Sequence, residues 1–283
     1  MQVRETRLIL TVEEFLRTVA RIKDEWAADD DYDAEWVPWF RGEANAEWST
    51  RLRPRLYRGP SRTETQVKRL LYADQEIRLA FSRSAAPLVR GSALDHWGHY
   101  FLMQAYGAPT RLLDWTDGAI VALYFAVQGR ARANDHEGTA HAAVYMLDPA
   151  WLNSKTFKKD PSRNRSQGVA LSDWKEAGRY LPEDEFASER LRPRIPLAVD
   201  PVNVASRMSA QRAHFTIFGK DPDGLVSCST HKKSRLVRFK IAYSAIPKIQ
   251  NQLKLVGLSE FALFPDLEGL GRELGYFWDE LIK

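Results

Sequence analysis

Cysteine is nearly absent: the 283 residues hold one, Cys228. A lone thiol cannot close an intramolecular disulfide. A disulfide-stapled secreted fold is therefore excluded, and a reducing compartment is expected. No Cys/His cluster has the spacing of a zinc site, so no metal is expected either. Long apolar runs are also missing. The longest, Ala119 to Val127, falls well short of the about 20 residues that cross a bilayer. The opening MQVRETRLIL is charged and unlike a secretory signal. No membrane partner is expected, and a cytoplasmic location is. Neither an internal repeat nor a low-complexity tract is visible. Apolar residues make up 44% and charged residues 28%, a globular balance that excludes a disordered chain, a collagen-like chain or a coiled coil.

A strong excess of one charge is lacking too, since 41 Lys and Arg face 37 Asp and Glu. The charges are unevenly spread, however. Asp24 to Trp36 carries seven acids and no base, whereas Arg41 to Arg69 carries eight bases against three acids. Lys155 to Arg165 has five bases against one acid, and Lys232 to Lys240 has five with none. Such runs either attract phosphates or are solvated loops and guarded strand edges.

The length allows one large domain, and we read residues 1–283 as one. Thr11 and Glu14 form a capping box, and Phe15, Leu16, Val19, Ile22 and Trp26 follow at helical spacing, which predicts a helix over 11–27. A core over about 36–274 follows. Trp36 to Phe40 reads as a strand, Ser61 to Phe81 and Trp97 to Tyr106 as helices. The segment Gly118 to Gln128, with Asp117 as cap, is apolar on all sides and reads as a central helix. Strands are expected at His141 to Leu147, His214 to Phe218 and Arg235 to Ile241. Asp221-Pro-Asp-Gly is a turn signal. Residues of about 150–200 read as an insertion. Helices are expected from Ser244 (burying Ile246, Ile249, Leu253 and Val256) and from about Asp266 to Trp278. This order is α+β, a mixed sheet with flanking helices, rather than the alternation of a doubly wound sheet.

Three segments carry chemistry. In Trp39-Phe40-Arg41-Gly42 an arginine ends an apolar strand, so its guanidinium stands at the rim of a core, and Gly42 permits close approach. An ordinary surface arginine before a turn has the same signature. Tyr106 to Thr116 packs turn residues, Arg111, Asp114, Thr110 and Thr116 between two apolar helices. It reads equally as a buried polar knot and as a pocket wall. In Ser209 to Phe215, Gln211 stands beside a strand, either bonding a ligand hydroxyl or satisfied by its neighbours.

Together these segments resemble the FRG domain family, named for a Phe-Arg-Gly motif that here is Phe40-Arg41-Gly42. Gly107 to Thr116 is similar to the family's Gly-x-Pro-Thr-Arg-Leu-Leu-Asp-Trp-Thr, and Ala122 to Ala126 to its Ala-Leu-Tyr-Phe-Ala helix. Arg207, Gln211 and Phe215-Thr216 resemble a third signature, and Leu263 to Leu267 the family's end. Ala105 and His214 depart from the pattern, which often has His and Gly there. The order of parts also resembles the ADP-ribosyltransferase fold. That resemblance implies an NAD-dependent ADP-ribosyltransferase, with NAD as substrate and nucleic acid ahead of protein as acceptor. A bacterial toxin or phage-defence effector with an antitoxin partner is the context it implies. A non-catalytic nucleotide or nucleic-acid binding module is the alternative. Under the first reading Arg41 clamps pyrophosphate, Thr110 orients the nicotinamide ribose and Gln211 bonds a ribose hydroxyl. Asp114, Glu43 or His214 supplies the base. Arg41, Gly42, Tyr106, Thr110, Arg111, Trp115 and Thr116 contact NAD, with Tyr106 or Trp115 stacking on a base.

Overall fold

The computed structural model describes residues 3–28, 37–48, 52–59, 63–89, 94–132, 140–156, 170–171, 175–181, 193–201, 204–229 and 233–282. Its frame is an eight-stranded mixed sheet. In chain order the strands are β1 (Arg4–Ile9), β2 (Trp39–Glu43), β3 (Leu112–Thr116), β4 (Ala142–Leu147), β5 (Ala170–Leu171), β6 (Leu197–Asp200), β7 (Ala213–Ile217) and β8 (Leu236–Ile241). Their spatial order is β1-β8-β4-β2-β3-β7-β6-β5. The outer pairs β1/β8 and β5/β6 are parallel, and the remaining neighbours are antiparallel.

The sheet is well knit except at one seam. β2 pairs with β4 over five positions, Trp39↔Leu147 to Glu43↔Ala143, and β3 with β7 over five more. Between β2 and β3 the register holds at Phe40↔Thr116 alone. The sheet is thus two half-sheets hinged at a single pair.

Helices cover both faces. α1 (Val12–Ala27) starts where expected, with Thr11 Oγ1 accepting from Glu14 N at 3.1 Å, and buries Phe15, Ile22 and Trp26. α2 (Glu64–Ala85) starts from a Thr63/Gln66 capping box, and α3 (His96–Ala105) from Asp95. α4 (Ala119–Arg132) crosses β2 at Gly42. A Cβ built on Gly42 would lie 2.0 Å from Ala122 O and 2.5 Å from Ala126 N, so only glycine admits the helix backbone here. The close approach that Gly42 serves includes this helix. Asp117 does not cap α4. Its carboxylate takes Arg212 Nε and Nη2, and Thr116 Oγ1 instead accepts from Gly118 N at 3.0 Å.

Further elements are α5 (Pro149–Thr156), α6 (Lys175–Gly178), α7 (Ser206–Ala210), α8 (Gly224–Cys228), α9 (Ile246–Leu255), α10 (Glu260–Leu263) and α11 (Leu267–Leu281). Val256 ends α9 and is exposed, so it leaves the face expected of it. One core lies between the β1–β2 half-sheet and α1, α4 and α9. A second, around Trp39, Trp115 and Tyr145, fills the opposite face. A third packs α3 and Tyr180 on Phe215 and Ile217.

Four strands, β1, β3, β5 and β6, differ from the sequence reading. β1 is an edge strand with one buried residue, Ile9, so its composition is that of a surface. β3 was expected as a linking loop, but it is buried on both faces except at Asp114, and so shows no alternation. β6 lies inside the expected insertion, yet it joins β7 to β5. The 150–200 segment is therefore partly built into the sheet, while 157–169, 172–174 and 182–192 fall outside the described residues. Trp36, Ser61 and residues 29–35 of the acidic run also fall outside them. Among the described residues no helix is long and apolar enough to cross a membrane.

Candidate functional site: a cleft at the seam

Where β2 and β3 part, a cavity of about 240 Å³ opens. Arg41 fills the seam. Past the pair Phe40↔Thr116, its Nη1 donates to Asp114 O at 3.0 Å, taking the place of the next ladder bond. Its Nε donates to Glu43 Oε1 at 3.1 Å. Glu43 Oε1 also accepts from Leu52 N at 3.2 Å, while Glu43 Oε2 is buried without a hydrogen-bond partner. Arg41 is thus held from two sides, with Nη2 free among the described residues.

Asp114 is the carboxylate of the cleft. Its side chain is 57% exposed and stands 3.8 Å from Arg41 Nη1. It accepts from Gln104 Nε2 at 2.8 Å. Gln104 is aimed in turn by the Thr110 hydroxyl, which donates to its Oε1 and accepts from Leu112 N at 3.1 Å. Thr110 is fully buried and does not line the cavity; it positions Gln104 from behind.

The far wall comes from α7 and the α10–α11 turn. Gln211 Nε2 donates to Leu263 O at 3.1 Å, leaving its carbonyl oxygen without a partner among the described residues. Arg207, one helical turn earlier, donates to Ala105 O at 3.0 Å and to the α11 cap Asp266 at 2.7 Å. It ties both rims together. Phe125 and Phe264 meet edge to face at 6.0 Å between centroids and supply apolar wall.

Arg111 belongs to none of this. Fully buried, it donates from Nε to Asp74 at 2.8 Å, from Nη1 to Phe218 O at 2.6 Å and from Nη2 to Tyr180 O at 2.7 Å. Tyr100 closes the knot, donating to Asp74 at 2.6 Å and accepting from Arg111 N at 2.7 Å. Burial alone pulls the Arg111 pKa down, but the Asp74 carboxylate together with Tyr100 and Tyr57 more than reverses this and raises it. The same burial, with Asp74 adjoining, pushes the Tyr100 hydroxyl well above its ordinary value. The segment 106–116 is therefore both of the things it resembled: a polar knot at Arg111 and a pocket wall at Asp114 and Thr116.

Three other expected contacts are turned elsewhere. Trp115 borders the cavity, but its indole lies in the core on the other face, where Nε1 donates to Thr216 at 3.1 Å. His214 follows the two-residue alternation of β7: Ala213 and Phe215 line the cavity and His214 points away. There it stacks on Trp39 at 4.6 Å and meets Asp200 at 2.7 Å. Tyr106 is 63% exposed and lies against Arg207 outside the cavity, 4.9 Å from guanidinium carbon to ring centroid. Of the expected residues, the cavity brings together Arg41, Gly42, Asp114, Trp115, Thr116 and Gln211. Sequence reasoning missed Gln104, Phe125 and Phe264. Gln104 did leave a signal, as a lone amide in the apolar run Tyr100 to Ala105.

Several cations of the basic runs are ion-paired within the protein. Arg235 pairs with Asp148 at 2.9 Å, Lys240 with Glu47 at 3.2 Å, Arg53 with Asp223 at 2.5 Å, and Arg238 with Glu5. Residues 157–165 of the remaining run lie outside the described residues. Among the described residues no group of three or more His, Cys, Asp or Glu is placed to hold a metal ion.

Comparison with known families gives one match: a family model described as the FRG domain covers residues 37–135. This stretch runs from β2 through α4. It contains Arg41, Gly42, Arg111 and Asp114, and ends before Arg207 and Gln211. The match supports the kinship read from Phe40-Arg41-Gly42 and from Gly107 to Thr116. No curated protein and no solved structure matches the chain.

Proposed function

We propose that the seam cleft binds NAD and that the protein is an NAD-dependent ADP-ribosyltransferase built on an ADP-ribosyltransferase-like arrangement of its core. One observation carries this reading: Arg41, Asp114 and Gln211, from three segments far apart in sequence, line one cavity where the two half-sheets part. A guanidinium, a carboxylate and an amide around an apolar pocket suit a ligand with phosphate, ribose and a flat ring.

The cavity of about 240 Å³ lies below the usual ligand-pocket range of about 300–1,000 Å³, so it takes the nicotinamide–ribose half of the dinucleotide. Phe125 and Phe264 flank the ring and exclude water. Arg41 turns its free Nη2 to the pyrophosphate. Gln211 accepts from a ribose hydroxyl through its carbonyl oxygen. When the bond from ribose to nicotinamide breaks, the electron pair leaves with nicotinamide and positive charge develops on ribose. Asp114 faces that charge and stabilises it. A nucleophilic base nitrogen then attacks the ribosyl carbon. Nucleic acid stands ahead of protein as acceptor because such nitrogens need no prior deprotonation; the charge runs, several of whose members are ion-paired within the protein, add little.

Wild-type protein incubated with NAD and with RNA, DNA or lysate is expected to release nicotinamide and label one polymer. Arg41→Ala should lower release by about 100-fold or more, with Arg41→Lys as a check that the loss is not misfolding. Equal background release from all three proteins removes the enzyme. One feature favours a second reading, a non-catalytic nucleotide or nucleic-acid binding module: Gln211 is an amide and cannot take a proton. Salt-sensitive binding of nucleotide or nucleic acid with no turnover supports that module.

A further inference from the structure

The Arg41 end of the cleft holds more positive charge than the site above uses. The segment 52–58 returns to the seam and ends in the turn Arg55–Tyr57. Four contacts fix it: Leu52 N to Glu43, Arg53 to Asp223, Leu56 N to Thr110 O at 3.2 Å, and Tyr57 Oη to Gly219 O at 2.7 Å. Arg55 and Arg58 are therefore carried by an anchored turn. Arg55 donates from Nη1 to Gly107 O, and Arg58 from Nε to Arg53 O at 3.1 Å. The remaining N–H groups of both side chains have no partner among the described residues, and both open to solvent. A guanidinium has five N–H donors, so most of each fork is unengaged.

We propose that Arg41, Arg55 and Arg58 form a phosphate-binding subsite at the outer end of the cleft, which takes the pyrophosphate of a dinucleotide. The proposal rests on reading the cleft as a dinucleotide site. Three cations stand against two carboxylates, Glu43 and Asp114, one of which is already bonded to Arg41 and Leu52. The pKa of Arg58 is lowered first by burial and next by the charge of Arg41, with Arg55 adding to it against Glu43 and Asp114. An anion at this point relieves that repulsion. The cavity holds only part of a dinucleotide, so the phosphates must leave it, and Arg41 marks the exit. A polynucleotide backbone calls for a stripe of free cations, whereas Arg53 of the same segment and Arg235 and Arg238 of the later basic run are ion-paired.

Calorimetry on the full chain with ADP-ribose, inorganic pyrophosphate, nicotinamide and a single-stranded oligonucleotide tests this, with a thermal melt of each variant. Arg58→Ala and Arg55→Ala should each weaken ADP-ribose and pyrophosphate about tenfold and leave nicotinamide unchanged. Arg58→Lys should recover only part, because lysine keeps the charge and lacks the fork. No binding of either phosphate ligand by wild type, or unchanged ADP-ribose affinity in both alanine variants, overturns the subsite. A loss confined to the oligonucleotide also overturns it and assigns the cations to a polynucleotide. Nicotinamide release separates the two readings. Turnover with an NAD KM indifferent to Arg58 keeps the transferase and removes the subsite. Arg58-dependent ADP-ribose binding without release keeps the subsite and removes the transferase.

Discussion

Two arginines, one on β2 and one just ahead of its neighbour β3, have opposite fates. Arg111 is sealed, with Asp74, Phe218 O, Tyr180 O and Tyr100 around it and no exposed surface. Arg41 bridges a gap, 12% exposed, with one arm of its fork unbound. A buried cation with a bond at each guanidinium nitrogen fixes architecture, because any rearrangement strands a charge. A cation held on two sides and open on the third is positioned yet available, as a binding site requires. The first joins α2, α3 and β3, and the second stands where the sheet fails to close.

The widest separation between the two should come from truncation. Arg111→Ala leaves Asp74 buried and unpaired, and should cost about 3–5 kcal/mol in urea unfolding, with expression in the folded state reduced. Arg41→Ala also leaves a buried carboxylate, Glu43, without its cation, but Glu43 keeps the Leu52 N–H and two side-chain hydrogen bonds are lost against three, so it should cost less, about 2–3 kcal/mol. Equal losses at the two positions break the comparison. Gly42→Ala tests the seam from the helix side. With backbone atoms 2.0 and 2.5 Å from the new Cβ, α4 must shift, and a loss of about 1–3 kcal/mol in the same unfolding measurement is expected. That variant should weaken ligand binding as well, because α4 carries Phe125.

The smallest effect concerns the rim. The Asp266 pKa is lowered, chiefly by the hydrogen bond from Gly269 N and then, against some burial, by Arg207. A depressed carboxylate contributes stability that is present above the unfolded value of about 3.9 and is lost as pH falls below it through the folded value. The start of α11 should therefore loosen only below about pH 4, read by the fluorescence of Trp278. Asp266→Ala should remove that acid step and cost about 1 kcal/mol at neutral pH.

Elements with a local cause were legible. Thr11 and Glu14 announced α1, the all-apolar stretch announced α4, and β-branched and aromatic runs announced β4 and β8. Strands whose burial depends on neighbours were not. β3 is covered on both faces and flanked by turn residues, so it carries no alternation; β1 is an edge, and β6 is only 4 residues long, with Pro196 just before it and Pro201 just after it. In the site, Arg41, Asp114 and Gln211 showed through their setting. Phe125 and Phe264 did not, because an aromatic in an apolar run reads as core whether it faces core or cavity.

Capping, amphipathic faces and the lack of a disulfide follow from the chain alone, since each rests on composition or on residues a few positions apart. Which arginine is sealed and which is open was decided in three dimensions. Asp74 and Phe218 stand 37 and 107 positions from Arg111, and Asp114 stands 73 from Arg41. Partners that distant are chosen by the packing of the two half-sheets, and so is the gap between them.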